Sequence, residues 1–299
     1  MHKTFAIIII ATIAFCFSGT AQSNSLFNRF RTFQSMSEKW ELDTPYKRST
    51  FLISPYKPVY ITAGRRSNNP NKQPTSENPL YSLPFKVPYN NNEAKFQLSF
   101  KSKIVQGLIK GHGDLWIAYT QKAHWQLYNK ALSRPFRELN YEPEVILNFA
   151  ANIPIGGFTT RMLGVSFNHQ SNGRILPLSR SWNRIIFIAG FERKNWQIFL
   201  RPWIRLPDEE DENPAITDYT GRGEAVVIHN LGKHQLSAVA THSLRTGEKS
   251  RGSIQANWVF PVWKNLKGML QVSDGYGETL QDYNHRQTTV GISVSLMEW

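Results

Sequence analysis

The sequence has little cysteine and no long apolar stretch beyond its first residues. Both absences limit the classes of protein to which it can belong. Its single cysteine, Cys16, lies in the apolar leader, so the remainder of the chain has no thiol and forms no disulfide. After Ala21 no segment has the run of about 18 apolar residues expected of a membrane-spanning helix. No internal repeat, linker or low-complexity tract is present. The 299 residues are enough for one large all-β domain or two smaller domains.

The beginning of the chain has the organisation of a secretory signal peptide. Lys3 supplies a positive charge, Phe5–Phe17 forms an apolar core, and Gly19-Thr-Ala21 offers small residues for cleavage. The bulky Phe15 before Cys16 disfavours a lipoprotein anchor. We therefore predict a signal peptide over residues 1–21, an aperiodic periplasmic arm over residues 22–50, and the functional domain over residues 51–299.

Basic side chains outnumber acidic ones, with 35 Lys and Arg against 22 Asp and Glu, a net charge of +13. Such an excess is compatible with a solvated surface or with an acidic partner, either nucleic acid or anionic lipid headgroups. The export signal and the absence of any nucleic-acid-binding motif argue against nucleic acid. The sequence also contains no zinc pattern, phosphate loop or dinucleotide fingerprint.

From Pro58 onward the sequence contains twelve segments with strand-like alternation, separated by turn signals such as Ser67-Asn-Asn-Pro and Gly232-Lys-His. Short and long connections alternate between the segments. An even number of antiparallel strands with this loop asymmetry is typical of outer-membrane barrels. The sequence therefore predicts an all-β fold, a twelve-stranded antiparallel transmembrane β-barrel in a bacterial outer membrane.

The polar faces of these segments favour a membrane barrel over a soluble β fold. Lys122, Arg184 and Arg201 would point into the barrel interior, where they can pair and hydrate, whereas a small soluble barrel would fill its lumen with apolar side chains. Closure also removes exposed strand edges. The terminal Trp299 is out of phase with Val290–Leu296, so we expect the last residues to bend or bulge.

Three residues at the adjoining ends of two neighbouring segments indicate a catalytic triad. His169 and Ser171 continue the apolar face of one strand, and the i, i+2 spacing of about 6.5–7 Å lets the imidazole reach the hydroxyl. Asn183, across the hairpin, could accept the other imidazole N–H and fix its tautomer, although an amide adds no negative charge. A lone His-x-Ser is more often a coincidence, but polar groups facing hydrocarbon are costly and tend to be functional. A hydrolytic triad on an apolar surface indicates a lipid substrate.

Neighbouring residues offer an oxyanion donor and a cation site. Gly173 would let its N–H approach a substrate oxyanion without a side chain in the way. Oxygens of Ser133, Arg174 and Ser179 suit a hard cation such as calcium. The acidic run Asp208–Glu212 is interpreted as a solvated loop, with a role in divalent-cation binding left open.

The same motifs resemble those of the outer membrane phospholipase A family. The resemblance runs from about Phe51 to the end of the chain. It is carried by His169-Gln-Ser-Asn-Gly-Arg174, Ser179-Arg-Ser-Trp-Asn-Arg184, Tyr119-Thr-Gln-Lys122, Pro135-Phe-Arg-Glu-Leu-Asn-Tyr-Glu-Pro143, Glu212-Asn-Pro214 and Gly275-Tyr-Gly-Glu-Thr-Leu-Gln-Asp-Tyr-Asn284. It implies a twelve-stranded barrel that hydrolyses sn-1 and sn-2 acyl esters of phospholipids, and lysophospholipids too.

The resemblance also implies a role for each catalytic residue. Ser171 would be the nucleophile, His169 the general base and acid, and Asn183 the residue that orients the imidazole. Gly173 N–H, together with a calcium-bound water, would form the oxyanion hole. In the family, dimerisation completes the substrate cleft and the calcium site.

The calcium ligands implied by the resemblance lie near Arg174 and Ser179, with the partner subunit's Ser133. Leu176 stands where relatives can carry an acidic residue that is thought to serve an additional cation site. Whether this chain has a second calcium site is therefore open.

Gln121 is predicted to lie at the centre of a reversible homodimer. It sits between Tyr119 and Ala123 on the apolar face of its strand, where a lone amide facing lipid is expensive. Pairing with the same residue of a second barrel would satisfy both amides at a two-fold interface.

Two other functions remain to be distinguished from lipid hydrolysis. One is a passive channel or structural barrel with a vestigial triad, which the intact His-Ser-Asn set disfavours. The other keeps the chemistry but transfers the acyl group to an acceptor other than water.

Overall fold

The computed structural model describes residues 33–299, so the predicted signal peptide lies outside the described residues. Within these residues there are two short α-helices, α1 (Met36–Trp40) and α2 (Ile216–Tyr219). The strands of this part of the chain are β1 (Ile53–Pro55), β2 (Val59–Ser67), β3 (Asn92–Val105), β4 (Asp114–Trp125), β5 (Glu138–Ile155), β6 (Phe158–Ser171), β7 (Ser181–Arg193), β8 (Trp196–Leu206), β9 (Gly223–Leu231), β10 (His234–His242), β11 (Gly252–Trp263), β12 (Leu266–Gly275) and β13 (Gln287–Met297). No helix between residues 33 and 299 is long and apolar enough to cross a membrane.

Strands β2 to β13 form a closed antiparallel barrel of twelve strands, as predicted. Each strand pairs with the next along the chain, and β13 pairs with β2 to close the ring. The additional strand β1 pairs with β3 at Phe100–Ser102, beyond the part of β3 that pairs with β2. The first barrel strand is thus continued, after an interruption at residues 56–58, by a short piece that the sequence pattern did not indicate.

The barrel has an apolar outer face and a polar interior, because successive side chains of a strand point to opposite sides. Outward residues such as Leu163, Phe167 and Phe187 are largely exposed. Arg184 and Arg201 are buried inside, where ion pairs join them to carboxylates on β5. The predicted inward orientation of these two arginines is confirmed. This distribution is that of a transmembrane barrel, with lipid as the solvent of its outer face.

The two ends of the barrel differ in the length of their connections. At one end, which we call the short-turn end, the connections are residues 106–113, 156–157, 194–195, 232–233 and 264–265. At the other, the long-loop end, they include residues 68–91 and 207–222. In outer-membrane barrels the short turns face the periplasm and the longer loops face outward.

The described part of the predicted arm packs inside the barrel near the short-turn end. Ser35 caps α1 through a capping box with Glu38, and Met36 and Trp40 join the buried apolar cluster of the interior. Glu41 is buried against Lys103, which extends from β3. These contacts hold residues 34–41 as part of the folded unit that runs from residue 34 to residue 299.

The end of the chain turns away from the last strand, as expected from its phase. The register between β13 and β2 shifts between Ser295 and Met297. Trp299 then packs against the interior cluster, and its backbone N–H donates to the side chain of Gln235 at 3.1 Å.

Candidate active site

His169 and Asn183 lie directly opposite each other on β6 and β7, near the long-loop end. The His169 Nδ1 and Asn183 Oδ1 atoms are 2.8 Å apart. A carboxamide oxygen only accepts hydrogen bonds, so this contact places a proton on Nδ1 and leaves Nε2 available as an acceptor. The pairing register of two strands, and not a loop conformation, therefore sets the imidazole tautomer.

Ser171 ends β6 on the same outer face as His169 and is partly exposed. Its register partners are Tyr141 on β5 and Ser181 on β7. No described residue forms a hydrogen bond with its hydroxyl. The structure thus brings the three predicted catalytic residues to one outward-facing patch at the rim, continuous with the apolar surface of Leu163 and Phe167.

The inner face of the same strand pair carries a second set of contacts, which the sequence did not single out. The Trp182 Nε1–H donates to the side-chain oxygen of Gln170 at 2.8 Å. This hydrogen bond joins β7 to β6 one position away from the His169–Asn183 pair. The Arg184 guanidinium lies 4.0 Å from the centroid of the Trp182 ring. These contacts hold the two strands together behind the outward-facing residues.

The loop between β6 and β7 is organised around Asn172, which is buried. Its Nδ2 donates to Glu138 at 3.2 Å and to the Leu178 carbonyl at 2.8 Å. Its Oδ1 accepts the backbone N–H groups of Arg174 at 3.2 Å and Arg180 at 3.0 Å. One side chain thus fixes both halves of the loop that carries the predicted oxyanion and cation residues.

Gly173 adopts a left-handed backbone conformation, with φ of +61°. A Cβ at this position would lie 3.1 Å from the ring of Tyr141. Conformation and space therefore both require glycine here. None of the described residues accepts a hydrogen bond from its N–H, which suits the predicted role as an oxyanion donor next to Ser171.

The Ser179 hydroxyl donates to Glu212, a residue of the acidic run between β8 and β9. The second carboxylate oxygen of Glu212 is buried and has no hydrogen-bond partner. A buried, unpartnered anionic oxygen beside a hydroxyl is a donor set that suits a hard cation. No single residue of the acidic run was predicted as a ligand from the sequence, although Glu212-Asn-Pro214 is one of the motifs that carry the family resemblance. Between residues 33 and 299 no three His, Cys, Asp or Glu side chains are grouped to hold a metal ion.

Arg174 connects this loop to the one that carries Ser133. Its guanidinium donates to the carbonyls of Phe136 at 2.6 Å and Arg137 at 2.8 Å. A guanidinium has no lone pair for a cation, so only the main-chain carbonyl of Arg174 could serve as a ligand. Ser133 accepts the Trp125 indole N–H through its carbonyl at 2.7 Å. No hydrogen bond within the described chain joins Ser133 to the other predicted calcium residues.

Gln121 lies on β4 with its side chain partly exposed on the outer face, as predicted. Its carboxamide oxygen accepts the Tyr119 hydroxyl at 3.2 Å. The premise that this amide is wholly unpaired was therefore wrong, because a side chain two residues away on the same face reaches it. Its NH2 group has no hydrogen-bond acceptor among the described residues.

Comparison with known proteins identifies relatives over most of the chain. Residues 36–296 match the family model described as Phospholipase A1. The Phospholipase A1 of Escherichia coli is 36% identical over 246 residues, which are 82% of this chain and 82% of the relative. That of Salmonella typhimurium is 40% identical over 205 residues, 69% of this chain and 70% of the relative. A crystal structure described as the Salmonella typhi outer membrane phospholipase dimer with bound calcium aligns with a TM-score of 0.75 and 34% identity, over 84% of this chain and 95% of that one.

Proposed function

This chain belongs to the phospholipase A1 family, and on that premise we propose that it is a calcium-dependent outer-membrane phospholipase. Its substrates are phospholipids and lysophospholipids, from which it hydrolyses sn-1 and sn-2 acyl esters. The observation that carries the proposal is the His169–Asn183 contact of 2.8 Å beside Ser171 on the lipid-facing surface. At this rim an acyl ester can approach the nucleophile from the membrane, so the substrate need not enter the barrel.

In the proposed reaction, the Ser171 hydroxyl attacks the ester carbonyl while Nε2 of His169 takes its proton. The Gly173 N–H donates to the tetrahedral oxyanion. The intermediate then collapses, His169 returns the proton to the departing alkoxide, and the acyl group remains on Ser171. Water attacks this acyl-enzyme with His169 again as base, which releases the fatty acid and restores the serine.

Asn183 acts as the orienting residue in this scheme. Its oxygen holds the Nδ1 proton of His169, so Nε2 is the nitrogen left free to accept the proton of Ser171. The neutral amide stabilises the imidazolium less than a carboxylate would. Ring orientation, rather than charge, is therefore its contribution.

We assign the calcium site to the Ser179 hydroxyl, the main-chain carbonyl of Arg174 and the carboxylate of Glu212, with the partner subunit's Ser133. The buried free oxygen of Glu212 supports this assignment. Calcium bound there would supply positive charge near the oxyanion. Because calcium held by these rim and loop oxygens would act on the chemistry and not on the core, we expect its removal to change turnover more than the stability of the barrel.

A reversible homodimer is part of the proposal, and the calcium-bound dimer described for the Salmonella typhi protein supports it. Gln121 lies on the outer face of β4 with a free NH2 group, which would find an acceptor in the same residue of a second barrel. Such a contact contributes on the order of 1 kcal/mol in membranes, so it biases association without locking it.

Release of fatty acid from mixed micelles, with calcium or with a chelator, tests the proposed function. We expect calcium-dependent release of free fatty acid, and none from Ser171→Ala. Full activity in strong chelator would contradict the calcium assignment. An acylated product other than fatty acid would identify a transferase, and solute flux through vesicles without hydrolysis would identify a passive channel.

A further inference from the structure

Lysine residues recur in the short turns of the barrel. Four of the five turns carry one each, namely Lys110, Lys194, Lys233 and Lys264. All four are exposed, and none forms an ion pair with any residue between 33 and 299. The five turns contain no Asp or Glu. We call these four residues the turn lysines.

The long-loop end also carries exposed lysines, but its loops contain acidic residues as well, among them the run Asp208–Glu212. There Asp218 pairs with Arg222 at 2.9 Å and with Arg245 at 3.3 Å, and Asp211 pairs with Arg205. Charges of both signs therefore occur together at that end. What distinguishes the short-turn end is that its turns carry lysines with no acidic residue among them.

Exposed aromatic residues next to the turn lysines indicate the depth of these lysines relative to the membrane. Trp263 is 66% exposed and precedes Lys264, whose Nζ lies 4.6 Å from its ring centroid. Trp196 is 41% exposed and stacks on His229, with their ring centroids 3.9 Å apart. Exposed Trp side chains at strand ends lie at headgroup depth in membrane barrels. The adjoining lysines can therefore reach lipid phosphates at the same depth.

One place on this rim is shaped as a groove. It has a volume of about 490 Å³ and is lined by Phe158, Trp196, Ile198 and Val227, with the basic Arg193 and Lys194 at the turn. The Arg193 guanidinium lies 6.0 Å from the centroid of the Phe158 ring. Apolar walls along the barrel with two cations at the headgroup level are complementary to an acyl chain with a phosphate at its end.

We propose that the short-turn end binds anionic glycerophospholipids of the periplasmic leaflet. The turn lysines engage headgroup phosphates around the rim, and one lipid is seated in the groove with its phosphate against Arg193 and Lys194. A ring of turns at one end of a barrel presents its charges to a planar surface, which is the geometry that a membrane leaflet offers. This site lies at the opposite end from Ser171, so the lipid bound here is not the substrate.

Each lysine close to an anionic surface strengthens binding about fivefold, and salt screens the effect. Anionic lipids should therefore bind several-fold more tightly than zwitterionic ones. The preference should decline as turn lysines are removed one at a time.

Native mass spectrometry of the detergent-solubilised full chain can measure this preference. The probes are dialkyl ether phosphatidylglycerol and dialkyl ether phosphatidylcholine at equal concentration, since ether lipids have no ester to hydrolyse. The test variant changes all four turn lysines to Gln. The matched control changes four exposed lysines of the long-loop end, Lys72, Lys86, Lys130 and Lys249, to Gln and removes the same charge. Retained fatty-acid release from micelles shows that each variant is folded.

We expect the wild type and the control to retain more phosphatidylglycerol than phosphatidylcholine, and the turn-lysine variant to bind both about equally. Equal binding of the two lipids by wild-type protein, or the same loss in the control, would overturn the proposal. If the quadruple variant does not fold, Arg193→Gln with Lys194→Gln and a salt titration of the wild type serve instead. An unchanged preference in both measurements would also overturn it.

Discussion

Replacing Asn172 with Ala tests how the loop between β6 and β7 supports catalysis. Asn172 touches no reacting atom in the proposed mechanism, yet its side chain bonds both halves of the loop. In the variant the backbone N–H groups of Arg174 and Arg180 lose their acceptor, and a buried donor without a partner costs about 1–3 kcal/mol. The two donors together would cost about 2–6 kcal/mol, and partial hydration of the opened loop reduces this cost. We expect a loss of about 2–4 kcal/mol, confined to the loop.

A loss of this size, confined to the loop, would affect activity without unfolding the barrel. Opening the loop displaces Gly173 and Ser179 while the strand pair that carries His169 and Asn183 stays closed. We therefore expect turnover to fall at least tenfold and the calcium concentration for half-maximal activity to rise, with little change in the unfolding temperature of the barrel. Hydrogen exchange at Arg174 and Arg180 should accelerate, whereas exchange in β6 should not.

Asn257→Ala provides the control for this prediction. Asn257 is also a buried amide, and it donates to Ser237 at 3.1 Å and accepts from Gln271 at 2.9 Å, on strands remote from the site. Its loss should leave turnover and calcium dependence unchanged. If Asn172→Ala keeps wild-type turnover, or if Asn257→Ala lowers it equally, Asn172 does not hold the loop for catalysis.

Three further perturbations test other parts of the account. Trp182→Phe keeps an aromatic side chain but removes the indole N–H that bonds Gln170, so kcat should fall several-fold with KM unchanged, as measured by micelle kinetics. No change would show that this contact does not position His169. Glu212→Gln should raise the calcium concentration needed for activity by about tenfold or more, measured by calcium titration, whereas an unchanged titration would remove Glu212 from the site. Burial alone would raise the pKa of Glu41, but hydrogen bonds and ion pairs with its basic neighbours outweigh burial and hold that pKa below its usual value of 4.5. The ionised Glu41 carboxylate therefore stabilises residues 34–50 fully above about pH 4.5, and this stabilisation is lost as the pH falls through the lower pKa of the folded state. Hydrogen exchange in residues 34–50 should accordingly accelerate in acid before exchange in the strands does.

The strands and the outward-facing candidate catalytic patch were predictable because both follow from period-2 alternation. His169, Ser171 and Asn183 share a face in the structure, as the parity of their positions requires. The buried ion pairs of Arg184 and Arg201 follow from the same alternation.

Other features depend on contacts between distant parts of the chain, which alternation does not encode. The Glu212 carboxylate reaches Ser179 only because two loops meet at one end of the barrel. Nothing in the sequence distinguishes Asn172 from an ordinary loop residue, because its four hydrogen-bond partners come together only in the folded chain. The packing of Met36 and Trp40 inside the barrel is likewise a tertiary event, since a five-residue helix has no stability of its own.

The central claim is that Ser171 is a nucleophile activated by His169, and covalent labelling tests it most directly. The enzyme is incubated in calcium-containing micelles with a long-chain sulfonyl fluoride, and the modified residue is identified by peptide mass spectrometry. We predict a single label on Ser171 in the wild type, slower labelling in Asn183→Ala, and none in His169→Ala. A label on another serine, or equal labelling of Ser171 without His169, would contradict it.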